Sequence, residues 1–163
     1  MNQYPLVYLD HVQKVYGKHI ALYDVSVNIQ PGRIIGLLGP NGSGKTTIIK
    51  LVNGLLQPTS GNVYIHGEVP SAKTKQVVSY LPDTTYLDEN MKISETIRFF
   101  QDFYKDFNAQ RAYQLLNDLH LHPEQKLKQL SKGNKEKVQL ILVMSREADL
   151  YILDEPIGGV DPA

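Results

Sequence analysis

Residues 39–46 read Gly-Pro-Asn-Gly-Ser-Gly-Lys-Thr and directly follow the apolar run Ile-Ile-Gly-Leu-Leu at 34–38. The three glycines permit backbone conformations that a Cβ would forbid, so successive N–H groups can turn inward around an anion. This spacing lets Lys45 reach the β- and γ-phosphates of a nucleoside triphosphate and lets the Thr46 hydroxyl ligate Mg²⁺. A plain glycine-rich turn is the alternative, which the order of apolar run, loop and helix disfavours. We therefore predict a phosphate-binding loop made of Gly39, Pro40, Asn41, Gly42, Ser43, Gly44, Lys45, Thr46 and Thr47.

The periodicity around this loop predicts a mixed α/β fold. Residues 4–30 alternate apolar and polar positions, which predicts antiparallel strands with one solvent-facing side. The run at 34–38 is apolar enough to predict a strand buried on both faces. Residues 47–53 predict a helix that ends near Gly54, with its positive N-terminal dipole directed at the phosphates. Further strands are predicted at 62–66, 77–81 and 150–153.

Helical periodicity replaces strand periodicity from Ser94 onward. One predicted helical face carries Ile97, Phe100, Phe103 and Tyr104, and a second carries Ala112, Leu115, Leu116 and Leu119. A third helix is predicted to begin at Ser131, shortly before the strand at 150–153.

Composition excludes several classes of protein. Lys and Arg number 17, as do Asp and Glu, so the net charge of zero gives no sign of a nucleic-acid-binding surface. The chain has no Cys, which excludes a disulfide framework. The first residues show no basic stretch followed by an apolar core, and no apolar run approaches the ~20 residues of a membrane-spanning helix. With 163 residues, the chain fits one domain.

Residues 149–156, Asp-Leu-Tyr-Ile-Leu-Asp-Glu-Pro, place two acids after four apolar residues. Adjacent carboxylates at the end of a buried strand repel each other unless a cation or a polarised water lies between them. In P-loop enzymes the first acid holds Mg²⁺, which predicts that Asp154 works with Thr46. Glu155 is then placed to polarise the attacking water. An acidic strand end in a solvent-facing turn is the alternative for these two residues taken alone.

Residues 130–134, Leu-Ser-Lys-Gly-Asn, resemble the Leu-Ser-Gly-Gly-Gln signature of ATP-binding cassette (ABC) proteins. An ordinary helix N-cap at Ser131 is an equally good explanation of this segment taken alone. The two interpretations are compatible, because a capped helix N-terminus can also receive a γ-phosphate. The departures, Lys132 and Asn134, resemble variants found in bacterial exporters of the family. The order of phosphate loop, helical segment, signature and acidic strand is similar to an ABC nucleotide-binding domain over nearly the whole chain.

The resemblance implies a P-loop NTPase core with an N-terminal antiparallel β-subdomain and an α-helical insert at about 84–130. It implies ATP and Mg²⁺ as cofactors, and a catalytic site that includes Lys45 and Glu155. Tyr16 falls where the family stacks an aromatic residue on adenine, although an ordinary strand tyrosine is as good an explanation. Asp83 stands where the family usually has Gln; the resemblance implies a catalytic, metal-binding residue here, since a carboxylate can still ligate Mg²⁺ through oxygen, although it adds negative charge. Ser131 and Gly133 would contact the nucleotide of a second subunit, and Asp161 resembles the acid of the loop at the dimer interface.

The family pattern normally continues past this loop to a switch histidine, whereas no His here lies beyond His122. We therefore expect a domain whose C-terminal part is missing. The resemblance implies the energy-supplying subunit of a membrane exporter, held on the cytoplasmic face of the membrane by transmembrane partners and paired with a second ATP-binding subunit. Segment 83–91 would couple it to those partners, and no nucleic acid is expected. The alternatives are a catalytically incompetent nucleotide-binding fragment and a soluble ABC ATPase without a transport role.

Overall fold

The computed structural model describes residues 4–155. The chain divides into two compact units, one ending at Val78 and the other beginning at Ser79. The first unit contains the N-terminal strands and the phosphate loop. The second contains most of the helices and the acidic strand. Each unit is described by itself below.

A three-stranded antiparallel sheet forms the frame of the first unit. Its strands are β1 (Val7–Tyr16), β2 (His19–Ile29) and β3 (Ser60–Ile65), in the order β2-β1-β3. The turn between β1 and β2 contains Gly17 with φ +58°, a conformation that glycine adopts without a steric penalty. The central strand buries Leu9 and Val12 almost completely. The predicted antiparallel strands of the N-terminal segment are thus confirmed.

Helix α1 (Lys45–Val52) follows the phosphate loop. It ends at Asn53 and Gly54, and the N–H of Gly54 donates to the carbonyl of Leu51 at 3.0 Å. Gly54 has φ +65°, which is the usual way for a helix to terminate on glycine. The predicted helix and its end are confirmed, and it begins two residues earlier than expected.

The strand predicted at residues 34–38 is wrong. This segment has no regular secondary structure, and Ile34 and Leu38 are almost fully exposed, at 103% and 91%. A strand requires a neighbouring backbone edge that accepts its hydrogen bonds. Among residues 4–155, no strand pairs with this segment. The apolar residues of this segment indicated that it could be buried, but they could not show whether a neighbouring strand pairs with it.

The second unit combines a two-stranded sheet with three helices. The strands are β4 (Val78–Leu81) and β5 (Leu150–Leu153), and they lie side by side as neighbours in the sheet. The helices are α2 (Ile93–Phe103), α3 (Ala109–Asp118) and α4 (Lys132–Met144). These elements agree with the predicted strands at 77–81 and 150–153 and with the three predicted helices.

An apolar core holds the three helices together. Its members are buried residues from α2, α3, α4 and the connecting segments: Ile93, Ile97, Phe100, Phe107, Ala112, Leu116, Leu121, Leu127, Leu130, Val138, Ile141 and Leu142. Two predicted members of the helical faces, Phe103 and Leu119, are instead exposed, at 68% and 40%. Phe103 is the last residue of α2 and Leu119 is the C-cap of α3, so neither lies within the part of its helix that packs against the core. Phe103 stacks on the exposed ring of Phe99 at 6.3 Å between centroids.

Candidate nucleotide-binding site

The phosphate loop adopts backbone conformations that require its glycines. Gly42 and Gly44 have φ values of +81° and +92°, and Gly39 has φ +154°. A Cβ on Gly44 would lie 2.6 Å from the Leu22 side chain and 2.8 Å from the carbonyl oxygen of Ala21. The loop therefore fits against β2 only because position 44 has no side chain.

The Lys45 side chain folds back across the loop. Its Nζ donates to the carbonyl oxygen of Gly39 at 2.8 Å and to that of Pro40 at 2.9 Å. The N–H of Ser43 donates to Pro40 as well, at 3.2 Å, which closes the turn. The ammonium group is thus held against the loop by two neutral carbonyls. A phosphate is a stronger partner for an ammonium than a carbonyl is, because its oxygens are charged.

The N-terminus of α1 is suited to an anion. Its N-cap is Gly44, which offers no side-chain acceptor, and its first turn contains no acidic residue. The first N–H groups of a helix have no partner within the helix, and the helix dipole favours negative charge at this end. Thr46 is exposed and Thr47 half-buried within this first turn. The residues predicted to bind phosphate thus lie together in the loop and in the first turn of α1.

Tyr16 ends β1, and 45% of the residue is exposed. The Nζ of Lys14 lies 5.2 Å from the centroid of the Tyr16 ring, within cation–π range. No motif identified Lys14 in the sequence. Its signal was the two-residue spacing from Tyr16, which places the two side chains on the same face of a strand.

In the second unit, the ends of β4 and β5 bring two acids together. The backbone N–H of Asp154 donates to the carbonyl of Leu81 at 2.9 Å, and Asp154 is only 6% exposed. Asp83 follows β4 and is exposed. Burial, and then the negative charges of Asp154 and Asp83, raise the pKa of the Tyr80 phenol. Both carboxylates are therefore close enough to act on one tyrosine.

Glu155 is exposed and has φ +48°, an uncommon conformation for a residue with a side chain. Within the described ranges, no group of three or more His, Cys, Asp or Glu residues could enclose a metal ion.

Ser131 is the N-cap of α4, and its hydroxyl oxygen accepts a hydrogen bond from the N–H of Asn134 at 3.3 Å. The predicted cap is confirmed. Gly133 lies in the first turn of the helix, and a Cβ there would meet no atom within 4 Å. Both residues are exposed and so remain accessible to a partner. Asp161 lies outside the described residues.

A glycine-rich loop that carries a lysine into the start of a helix defines the class of P-loop nucleotide-binding proteins. The ABC transporter family model matches residues 22–158, and the chain belongs to this family. It is 37% identical to the SkfA peptide export ATP-binding protein SkfE of Bacillus subtilis, over 96% of this chain and 68% of that protein. It is 33% identical to the zinc import ATP-binding protein ZnuC of Haemophilus influenzae, over 98% of this chain and 57% of that protein.

A solved structure of an ATP-binding subunit of an ABC transporter aligns with a TM-score of 0.86 and 30% identity, over 96% of this chain and 69% of that chain. The predicted ABC ATPase fold is thereby confirmed. The chain spans between about half and two thirds of the length of its curated relatives. Within residues 4–155, no helix has both the length and the apolar character needed to cross a membrane.

Proposed function

We propose that this chain binds and hydrolyses Mg-ATP as the energy-supplying subunit of a membrane transporter. The observation that carries the proposal is the conformation of the phosphate loop. Its glycines have positive φ angles, and the Lys45 ammonium lies against the loop at the start of α1. The ATP-binding domains of the family are ATPases. The relatives named above are ATP-binding subunits of export and import systems.

Each predicted residue has a role in this reaction. The loop N–H groups and Lys45 hold the β- and γ-phosphates and neutralise charge that develops on the transferred group. Thr46 and Asp154 would hold Mg²⁺, with Asp83 as a further oxygen ligand; the bound ion supplies additional charge neutralisation. Glu155 orients and polarises the attacking water. Tyr16 stacks on the base.

A second ATP-binding subunit completes the site in this proposal. Ser131 and Gly133 would contact the nucleotide bound to the partner, because both are exposed at the N-terminus of α4. The partner is either another copy of this chain or a related subunit, and transmembrane subunits would hold both on the cytoplasmic face of a membrane. Export is the proposed direction, supported by the resemblance of residues 131–134 to exporter variants and by the 37% identity to a peptide export protein.

Two substitutions test the assignment. Lys45→Ala should abolish Mg-ATP binding, because it removes the cation that lies against the phosphate loop. The matched control is Lys50→Ala, which removes an exposed lysine from the last turn of the same helix and should leave binding unchanged. Titration of the full chain by calorimetry gives the result. Equal affinities for wild type and Lys45→Ala would refute the assignment of the loop.

Glu155→Gln should leave ATP binding intact while phosphate release falls by roughly a hundredfold or more, because the base that polarises water is lost. Glu147→Gln, at an exposed site in the same unit, is the control. Phosphate release is measured with the partner subunits present. Normal turnover of Glu155→Gln would remove this residue from the mechanism. Binding without turnover in the wild type would favour the alternative of a nucleotide-binding protein without catalysis.

A further inference from the structure

The Lys14 side chain is fixed by two contacts at once. It is half-buried, its Nζ donates to the carbonyl oxygen of Gln57 at 2.7 Å, and the same Nζ lies 5.2 Å from the ring centroid of Tyr16. A lysine usually loses considerable side-chain entropy when it is held in one conformation. Here, a carbonyl and an aromatic face together offset that loss, so the ammonium has a defined position over one face of the ring.

The segment that holds Lys14 is connected to the phosphate helix. Gln57 lies five residues beyond α1, whose first residue is Lys45. Two further hydrogen bonds join the same strand to the same segment: the N–H of Val15 donates to Thr59 Oγ1 at 3.0 Å, and the N–H of Thr59 donates to the carbonyl of Gln13 at 2.8 Å. All of these residues belong to the first unit. The end of β1 is therefore fixed relative to the chain that leaves the phosphate helix.

We propose that Lys14 is a positioning residue for the nucleotide base. Its ammonium covers one face of the Tyr16 ring and holds the ring at a set distance from the phosphate loop, so that the opposite face receives the base. Among residues 4–155, no aromatic ring stacks on Tyr16, and 45% of the residue is exposed. This inference rests on the proposed nucleotide-binding function.

The test compares a ligand with a base and a ligand without one. Wild type, Lys14→Met and Lys14→Arg are titrated with Mg-ATP and with magnesium tripolyphosphate, using the full chain. Lys14→Met should weaken ATP binding by roughly three- to tenfold and change tripolyphosphate binding by less than about twofold. Lys14→Arg should restore ATP binding, because a guanidinium can both donate to the Gln57 carbonyl and cover the ring. Lys18→Met removes the same charge from an exposed site in the turn between β1 and β2 and is the matched control.

A double-mutant cycle with Tyr16→Ala isolates the pair. In the Tyr16→Ala background, Lys14→Met should cause no further loss of ATP affinity. The proposal is overturned if Lys14→Met weakens ATP and tripolyphosphate equally, since the lysine then supports the loop or the general field rather than the base. It is also overturned if Lys14→Met leaves ATP affinity unchanged. If wild type binds neither ATP nor tripolyphosphate, the proposed nucleotide-binding function is wrong. That result differs from one in which wild type binds ATP but Lys14→Met does not affect its affinity.

Discussion

Gly44→Ala tests whether the phosphate loop depends on the absence of a side chain at this position. Position 44 has φ +92°, and a left-handed conformation costs a residue with a Cβ about 1–2 kcal/mol. The new Cβ would also lie 2.6 Å from Leu22 Cδ2 and 2.8 Å from the Ala21 carbonyl oxygen. Because Leu22 is buried at 5% exposure, this overpacking adds about 1–3 kcal/mol. We expect a total loss of roughly 2–5 kcal/mol in the free energy of unfolding.

Gly42→Ala is the matched control, because Gly42 has φ +81° but open space around its Cβ position. Gly42→Ala should lower the free energy of unfolding by only about 1–2 kcal/mol, the cost of the left-handed backbone conformation. Urea denaturation of both variants, followed by circular dichroism, measures the difference. The combined variant Leu22→Ala/Gly44→Ala should be more stable than the sum of the single losses predicts, because the shortened side chain relieves the clash. Equal destabilisation by Gly42→Ala and Gly44→Ala would refute the packing argument.

Three further predictions concern stability. Asp106→Ala should destabilise the chain by about 3–5 kcal/mol in urea denaturation, because it removes the carboxylate that lies 3.0 Å from the Arg146 guanidinium, a side chain only 3% exposed; a loss below about 1 kcal/mol would contradict this. Gly133→Ala should raise the free energy of unfolding by about 1 kcal/mol, since this helical glycine has open space at its Cβ position, and a lower urea midpoint would count against it. The hydrogen bond and charge of Asp24 raise the pKa of His11. The ion pair should therefore make its full contribution to the free energy of unfolding below the unfolded-state pKa of about 6.5. That contribution should disappear as the pH rises through the higher pKa of the folded state. Asp24→Asn should therefore reduce the decline in urea midpoint above that pH, and an unchanged profile would be evidence against the pair.

Local sequence predicted the elements whose geometry depends on near neighbours. The phosphate loop required glycines at set spacings, and Ser131 required only a hydroxyl before a helix to act as a cap. The alternation in residues 4–30 was sufficient for the β1–β2 hairpin, because strands joined by a short turn pair with each other. These features need few long-range contacts, so short windows of sequence contain their physical cause.

The roles of residues 34–38 and of Lys14 depended on distant parts of the chain. The apolar segment was predicted as a strand, yet burial needs a partner edge, and no strand within residues 4–155 pairs with it. Lys14 became part of the candidate site through the Gln57 carbonyl, 43 positions away in the chain.

By itself, the sequence determined the family, the phosphate loop and the N-cap of α4, because these follow from the chemistry of a few adjacent residues. Only the tertiary structure decided which apolar residues are buried and which distant carbonyl fixes Lys14 beside Tyr16. Burial and contact across more than 40 residues depend on how separate segments pack, and no single segment encodes that packing.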